Sequence, residues 1–286
     1  MLLEQFRKAK EGEIHRLRQL ETIGLLPCCH QIERPSFMDA LRSSERNQLH
    51  VIAEYKRASP SRGAIAMALA PEQVASEYAA SGADCLSVLT EETFFKGDIR
   101  YLSRMRFAGL PLLRKDFIFH PLQVAATAAT PASALLLIVR LTPDVRVLRS
   151  LREQAESFGM DAVVEVFDEK DLKLARASGA RIIQVNARDL DTLQVDRMAC
   201  LRLARHFHAD RDGEVWIAAS GIERPEHLQM AADHGFQAVL VGTALMRKGR
   251  PGAALASLLG NRETASRAEP EPNTNQICGR ALGKSA

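Results

Sequence analysis

The sequence predicts an α/β protein whose main part is a (β/α)8 barrel, the TIM-barrel fold, preceded by an extra N-terminal helical segment over the barrel mouth. A unit of apolar strand, polar or glycine-containing turn and helix occurs eight times, with strands beginning near Val51, Asp84, Pro111, Ala134, Asp161, Arg181, Val215 and Gln237. Several strand runs are continuously apolar, as expected of parallel strands buried on both faces. The 286 residues suit a barrel of about 250 residues with additions.

An open, doubly wound sheet is the main competing architecture. Such a sheet commonly has a Gly-x-Gly-x-x-Gly turn after its first strand. Here residues 56–63 read KRASPSRG, and that glycine pattern is absent. The helical segments also have ordinary ends, since residues 71–82 begin with proline and end with glycine. These features favour the closed barrel.

The chain is expected to contain three regions. Residues 1–50 form the N-terminal extension, because apolar residues recur at helical spacing among charged ones up to about residue 25. A second short helix is expected after Ser36, whose hydroxyl would cap it. Residues 51–261 form the barrel. Residues 262–286 lose apolar periodicity and are expected to be a disordered tail.

Composition limits the partners. Net charge is only +3, which disfavours nucleic acid and favours a small anionic ligand bound by a few cations in one pocket. Five cysteines lack metal-ligand spacing, so free thiols in a reducing compartment are expected, with Cys85 and Cys200 in the core. The N-terminus is neither a signal peptide nor a membrane span. A cytoplasmic protein without a membrane partner is expected, and the sequence is compatible with a monomer.

The histidines do not group as metal ligands, so no metal site is predicted. There are eight of them, dispersed along the chain. The expected positions of His30, His50, His120 and His234 are the surface or helix caps.

Polar residues follow the predicted strands at their carboxyl ends, where barrel enzymes have their active sites. In chain order these residues are Glu54 and Lys56, Lys115, Glu165, Asn186 and Arg188, Ser220 and Gly221, and Gly242 and Thr243. Taken alone, Lys115 would most simply pair with its neighbour Asp116 at the surface. The recurrence of polar residues at the other strand ends favours a shared pocket instead.

Two kinds of chemistry are indicated. The glycine-containing turns after strands 7 and 8 precede helices, so their N–H groups could bind phosphate, although the glycines could also serve only tight turns. Lys56, Ser59 and Arg188 could add to the same site. Two lysines and two glutamates in one pocket would form an acid–base set. The alternative for Glu165 is an ion pair that merely holds a lysine in place.

Seven motifs resemble one family in order and spacing. They are IAEYKRASPSRG at 52–63, LSVLTEETFFKG at 86–97, LLRKDFI at 112–118, VEV at 164–166, VNARDL at 185–190, SGI at 220–222 and VGTALM at 241–246. The chain resembles the indole-3-glycerol-phosphate synthases of tryptophan biosynthesis. The resemblance extends over the whole barrel, and the N-terminal helix is similar to the extra helix of the family.

The resemblance implies a carbon–carbon lyase without cofactor or metal. The family's substrate is 1-(2-carboxyphenylamino)-1-deoxyribulose 5-phosphate, whose aromatic carbon attacks the ketone before carbon dioxide and then water leave. Lys115 would protonate the ketone oxygen, Lys56 would contact phosphate or act as the acid for dehydration, and Glu165 would be the base. Glu54 and Asn186 would orient the lysines and hydroxyls.

The resemblance also assigns the binding surfaces. Phosphate would lie against Ser59, Ser220, Gly221, Gly242 and Thr243, and Arg188 would contact the carboxylate or support the pocket. The walls around the aromatic ring would be Phe94, Phe95, Phe117, Leu136 and Leu190. The loop of residues 56–63 would close over the substrate.

One position departs from the family pattern. Strand 7 usually ends Ser-Glu-Ser-Gly-Ile, whereas residues 218–222 read AASGI, so Ala219 replaces a glutamate. The alternative function is therefore a barrel that binds a phosphate ligand with reduced or reassigned activity. Phosphoribosylanthranilate isomerase is the nearest enzyme rival, but a cysteine base would be expected where Glu54 and Lys56 stand.

Overall fold

Eight parallel strands close into a barrel in the structure, a computed structural model that describes residues 2–30, 33–42, 49–190, 192–206 and 213–260. The strands are β1 (His50–Tyr55), β2 (Cys85–Leu89), β3 (Leu112–Ile118), β4 (Ala134–Ile138), β5 (Asp161–Val166), β6 (Ile182–Asn186), β7 (Val215–Ala219) and β8 (Ala238–Val241). Each strand pairs with its sequence neighbours, and β1 pairs with β8 to close the ring. The predicted (β/α)8 barrel is confirmed, with each strand start within one residue of its expected position.

Helices lie between the strands. Those of the described residues are α1 (Leu2–Thr22), α2 (Phe37–Arg42), α3 (Pro71–Ala80), α4 (Arg100–Met105), α5 (Pro121–Ala128), α6 (Val145–Ser157), α7 (Glu169–Ala177), α8 (Arg197–Ala204), α9 (Pro225–Asp233), α10 (Thr243–Met246) and α11 (Pro251–Leu258), with two 3-10 turns at Arg106–Ala108 and Val139–Leu141. Local sequence sets their starts. The hydroxyl of Ser36 accepts a hydrogen bond from Asp39 N at 3.1 Å, as predicted for a cap. Asp168 caps α7 in the same manner through Asp171 N.

Two apolar layers stabilise the barrel, because successive side chains of a strand point to opposite faces. The inner layer fills the barrel and includes Ile52, Leu113, Leu136, Val163, Ile217 and Leu240. The outer layer lies between the strands and the helices and includes Val51, Val88, Val164, Trp216 and Val239. Polar side chains at the carboxyl ends of the strands therefore lie on top of the inner layer.

The N-terminal extension contacts both ends of the barrel. Leu17 of α1 packs on Leu122 and Ala126 of α5, and the first turns of α1 reach the mouth, where Phe6 stacks on Phe117. In contrast, the backbone N–H of Met38 in α2 donates to Asp161, the first residue of β5, at 2.9 Å. The prediction that the extension covers the mouth is confirmed for α1 and wrong for α2, because the chain must reach the amino end of the barrel to begin β1.

The structure also tests the predicted positions of the cysteines and histidines. Cys85 and Cys200 are buried as expected. His120 caps α5, but His50 is buried at the start of β1, with Nδ1 3.2 Å from Asp84 Oδ1, so its predicted surface position is wrong. The predicted tail at 262–286 lies outside the described residues. Among the described residues, none of the helices combines the length and the apolar composition of a membrane span.

Candidate active site

A cavity of about 520 Å³ opens at the carboxyl ends of the strands. Its lining includes every side chain that the sequence singled out for the site except Phe94. The loop after β1, predicted to close over this cavity, contains two short antiparallel strands, Ala58–Ser59 and Gly63–Ala64. This small hairpin places Ser59 in the cavity wall.

Two lysine–glutamate pairs lie in the cavity. Lys56 Nζ is 2.8 Å from Glu54 Oε1, and Lys115 Nζ is 3.5 Å from Glu165 Oε2. Both glutamate side chains are 2% exposed, and both lysine side chains are 17% exposed. Each pair therefore has a buried carboxylate below and an ammonium group that can reach a ligand. Such an arrangement can donate a proton from one side and accept one on the other.

Each carboxylate also has a polar partner on the neighbouring strand. Ser87 Oγ lies 3.4 Å from Glu54 Oε2, and Gln184 Nε2 donates to Glu165 Oε2. Ser87 is the register partner of Glu54, and Gln184 is the register partner of Glu165. Neither residue was predicted from the sequence as part of the site. A polar residue at the centre of an otherwise apolar strand was the available signal.

Asp116 does not pair with Lys115. Its carboxylate is 2.8 Å from Lys10 Nζ of α1 and 2.9 Å from Arg114 Nη2. Burial alone would raise the pKa of Asp116, but these two cations outweigh burial and hold that pKa well below its usual value. The simple surface pair considered for Lys115 is thus wrong, since alternation along β3 sends the two side chains to different partners.

The loops after β7 and β8 form one end of the cavity. Ser220 and Gly221 both have positive φ, 71° and 79°, so the backbone turns sharply before α9. A Cβ on Gly242 would lie 2.2 Å from Glu54 Oε1, so only glycine allows the loop after β8 to approach that carboxylate. This close approach, rather than a tight turn alone, explains the glycine.

Hydrogen bonds connect the loop after β7 to the end of β6 and to the start of α8. Asn186 Oδ1 accepts from Ser220 Oγ at 2.7 Å and from Arg188 N at 3.0 Å. Arg197 Nε donates to Gly221 O at 2.6 Å and also lines the cavity. Arg197 was missed by the sequence analysis, because it begins a helix rather than ending a strand. The network fixes the position of the loop after β7.

Positive charge gathers on the same side. Burial lowers the pKa of Arg188, and the nearby charge of Arg62 lowers it further. Arg62 lies on the hairpin loop and also lines the cavity. Two guanidinium groups in mutual repulsion favour an anion between or beside them.

The other side of the cavity is apolar. Phe95, Phe117, Leu136 and Leu190 line it as predicted, and Phe6 of α1 joins them. The rings of Phe6 and Phe117 stack with centroids 4.0 Å apart. Phe94 instead packs edge-on against Phe6, at 5.1 Å, outside the lining. Phe6 was predicted only as part of an amphipathic face, which does not reveal what that face contacts.

A buried glutamate of the cavity lining, Glu91, was also not predicted from the sequence, and it shapes the loop that carries Phe95. Glu91 is 1% exposed and accepts hydrogen bonds from the backbone N–H groups of Thr93, Phe94 and Phe95 at 2.7 to 3.0 Å. These bonds place Phe95 at the cavity and Phe94 behind it.

Ala219 is the last residue of β7 and is 3% exposed. It lines the cavity and is in register with Asn186 on one side and Leu240 on the other. The position that departs from the family pattern therefore lies in the site itself. Within the described ranges, no group of three His, Cys, Asp or Glu residues could hold a metal ion.

Fold and site together define a (β/α)8-barrel enzyme with paired lysines and glutamates at the carboxyl ends of its strands. The indole-3-glycerol phosphate synthase family model matches residues 3–258, and the chain belongs to that family. It is 39% identical to the indole-3-glycerol phosphate synthase of Magnetococcus marinus over 88% of this chain and 95% of the relative. It is 42% identical to the synthase of a Parafrankia species over 85% and 90% of the two chains.

Solved structures with much lower identity share the fold. The chain superposes on 3-hexulose-6-phosphate synthase from Salmonella typhimurium with a TM-score of 0.59 and 11% identity, over 76% of this chain and all of the other. A thiamine phosphate pyrophosphorylase from Pyrococcus furiosus gives a TM-score of 0.55 and 13% identity, over 80% and 99% of the two chains. These similarities support the barrel architecture alone.

Proposed function

We propose that this chain converts 1-(2-carboxyphenylamino)-1-deoxyribulose 5-phosphate to indole-3-glycerol phosphate, carbon dioxide and water, as a carboxy-lyase of tryptophan biosynthesis. The observation that carries the proposal is the placement of two lysine–glutamate pairs between a cationic, glycine-containing end and an aromatic wall. A substrate with a phosphate at one end and an aromatic ring at the other matches that arrangement. The family membership supports the same reaction.

The substrate would span the cavity. Its phosphate would lie on the backbone N–H groups after β7 and β8, against Ser59, Ser220, Gly221, Gly242 and Thr243. Its ring would lie on Phe95, Phe117, Leu136 and Leu190. Arg188 would contact the carboxylate on that ring or support the pocket. The ketone between the two ends would then face the lysines.

The lysines and glutamates would move protons in two stages. Lys115 would protonate the ketone oxygen while the aromatic carbon that bears the carboxylate forms the new carbon–carbon bond, after which carbon dioxide leaves. Glu165 would then take the proton from the ring system, and an acid would assist the loss of the hydroxyl as water. Lys56 would contact the phosphate or supply that acid. Glu54 and Asn186 would orient these groups.

The alternative is a barrel that binds the phosphate ligand without efficient turnover, because Ala219 replaces the family's glutamate. Similarity to a curated synthase over 95% of its length favours the synthase. The two carboxylates, Glu54 and Glu165, remain paired with lysines, so the acid–base set does not depend on position 219.

The remaining parts of the proposal concern the partner and the compartment. The partner would be a small phosphorylated molecule, with neither nucleic acid nor membrane involved. The described cysteines, Cys28, Cys29, Cys85 and Cys200, are all free, which supports a cytoplasmic location. For the oligomeric state we propose a monomer, with which the sequence is compatible.

The test is turnover by the purified chain, followed by the fluorescence of the indole product. We expect product from the wild-type protein and none above background from Lys115→Ala. The binding alternative predicts that the substrate raises the unfolding temperature without product formation. That result would reject the synthase and retain the phosphate site.

A further inference from the structure

Gln184 lies beneath the site, on the strand next to Glu165. Its side chain is fully buried in β6, and it is the register partner of Glu165. Its Nε2 donates a hydrogen bond to Glu165 Oε2, the same oxygen that faces Lys115 Nζ at 3.5 Å. Gln184 is not among the residues that line the cavity. The link from its side chain to the cavity that the described residues show is the hydrogen bond to Glu165.

The oxygen of the Gln184 side-chain amide makes no hydrogen bond to the described residues. This atom, Oε1, is buried. Flipping the amide so that its oxygen and nitrogen exchange places would not improve the hydrogen bonding, because the oxygen would then face the Glu165 carboxylate. A buried polar atom without a partner opposes folding, and an apolar side chain of the same size would avoid that cost.

We propose that Gln184 is a positioning residue that holds the Glu165 carboxylate towards Lys115 and the reacting carbon. The inference rests on the proposed function, because it assumes that Glu165 is the base. The Ser87 hydroxyl has the same relation to Glu54, on the strand next to it and in register, at 3.4 Å. In both pairs the neighbouring strand supplies a fixed donor to the carboxylate.

The test is Gln184→Met, which keeps the length of the side chain and removes the donor. A carboxylate without this donor can rotate, and misplacement of a catalytic group lowers the rate by about tenfold to a hundredfold. We expect kcat to fall by that factor while KM changes by less than about twofold, since the substrate does not contact Gln184. The unfolding midpoint is expected to change little, because loss of the donor to the buried Glu165 carboxylate lowers stability while removal of the unpaired oxygen raises it.

Gln237→Met is the matched control. Gln237 precedes β8 at the opposite end of the barrel, where Oε1 accepts from Trp216 N and Nε2 donates to Gly235 O, each at 2.7 Å. Both ends of this amide are used in the fold. The control variant should lose stability and keep kcat, which is the reverse of the result expected at position 184.

Two results would overturn the inference. The first is an unchanged kcat in folded Gln184→Met. The second is a lower apparent kcat that a smaller fraction of folded enzyme fully explains. Gln184→Leu serves as the second variant if the methionine protein does not fold. Wild-type turnover distinguishes a failure of this inference from a failure of the proposed function. If the wild type forms product and Gln184→Met has the same kcat, only the role of Gln184 is rejected. If the wild type forms none, the proposed function fails first and the inference with it.

Discussion

Nζ of Lys115 lies 3.5 Å from Oε2 of Glu165, across the barrel interior between β3 and β5. This distance is longer than an optimal hydrogen bond, whereas the buried carboxylate is held from below by its neighbour on β6. The lysine is therefore the member of the pair that can turn to a ligand. In the proposed mechanism this relation suits Lys115 as a movable acid and Glu165 as a fixed base.

Glu165→Gln tests the fixed base. The amide keeps the size of the side chain but cannot take a proton, so we expect kcat to fall by about 10² to 10⁴. The measurement is steady-state turnover by indole fluorescence. Glu214→Gln is the control, because Glu214 is also buried but pairs with Arg176 outside the cavity. The control should lose stability and keep kcat, and a Glu165→Gln enzyme with wild-type kcat would contradict the role of the base.

Ala219→Glu tests the departure from the family pattern. The cavity of about 520 Å³ has room for a carboxylate at this position, and Asn186 stands next to it in register. We expect kcat to be unchanged or raised by up to about tenfold, since a further carboxylate would assist proton transfer. Ala219→Gln supplies the same volume without the charge and should not raise kcat. A clear loss of turnover in the glutamate variant would show that the site has adapted to alanine.

Gly242→Ala tests the contact between the loop after β8 and the first carboxylate. The added Cβ would lie 2.2 Å from Glu54 Oε1, so the buried Glu54 carboxylate must shift from its position beside Lys56. We expect a lower kcat and a higher KM, because both the proposed acid–base set and the proposed phosphate-binding loop would be displaced. Gly12→Ala is the control: like Gly242, Gly12 has no left-handed φ, but the nearest atom to its Cβ would be Arg16 Nη1 at 3.8 Å. Equal kinetics in the two variants would contradict the steric argument.

Lys10→Met tests the ion pair that fastens α1 to β3. Lys10 is 5% exposed; burial opposes its charge, but Asp116 and Glu13 outweigh burial and raise its pKa. Removal of one partner from a buried pair costs about 3 to 5 kcal/mol, and we expect about 2 to 3 here because Arg114 still faces Asp116. The measurement is the free energy of unfolding in urea, with Lys8→Met on the exposed face of α1 as the control.

The same pair predicts a pH dependence. The pKa of Asp116 is lowered in the folded state, so its contribution to stability is present above the unfolded value of about 3.9 and is lost as the pH falls below it. The pKa of Lys10 is raised, so its contribution persists up to its ordinary value of 10.5 and is lost above the folded value. The stability difference between wild type and Lys10→Met should therefore be constant near neutral pH and shrink below about pH 3.9. A difference independent of pH down to the acid limit would reject the electrostatic origin.

The sequence by itself determined the barrel and the positions of most site residues. Alternation of apolar strands and helices fixes eight parallel strands, and parallel strands bring all their carboxyl ends to one face. Lys56, Lys115, Glu165 and Asn186 could thus be assigned to one pocket without any distance being known. Period-two alternation also predicted that Glu54 and Lys56 point the same way, and they are 2.8 Å apart.

Only the tertiary structure decided which side chains meet across elements. That Lys10 pairs with Asp116, that Phe6 joins the aromatic wall and that α2 covers the amino end depend on how the extension docks on the closed barrel. Local periodicity shows which face of a helix is apolar, but not what that face will contact. The donor that Gln184 gives to Glu165 depends likewise on strand register, which is set by closure of the whole sheet.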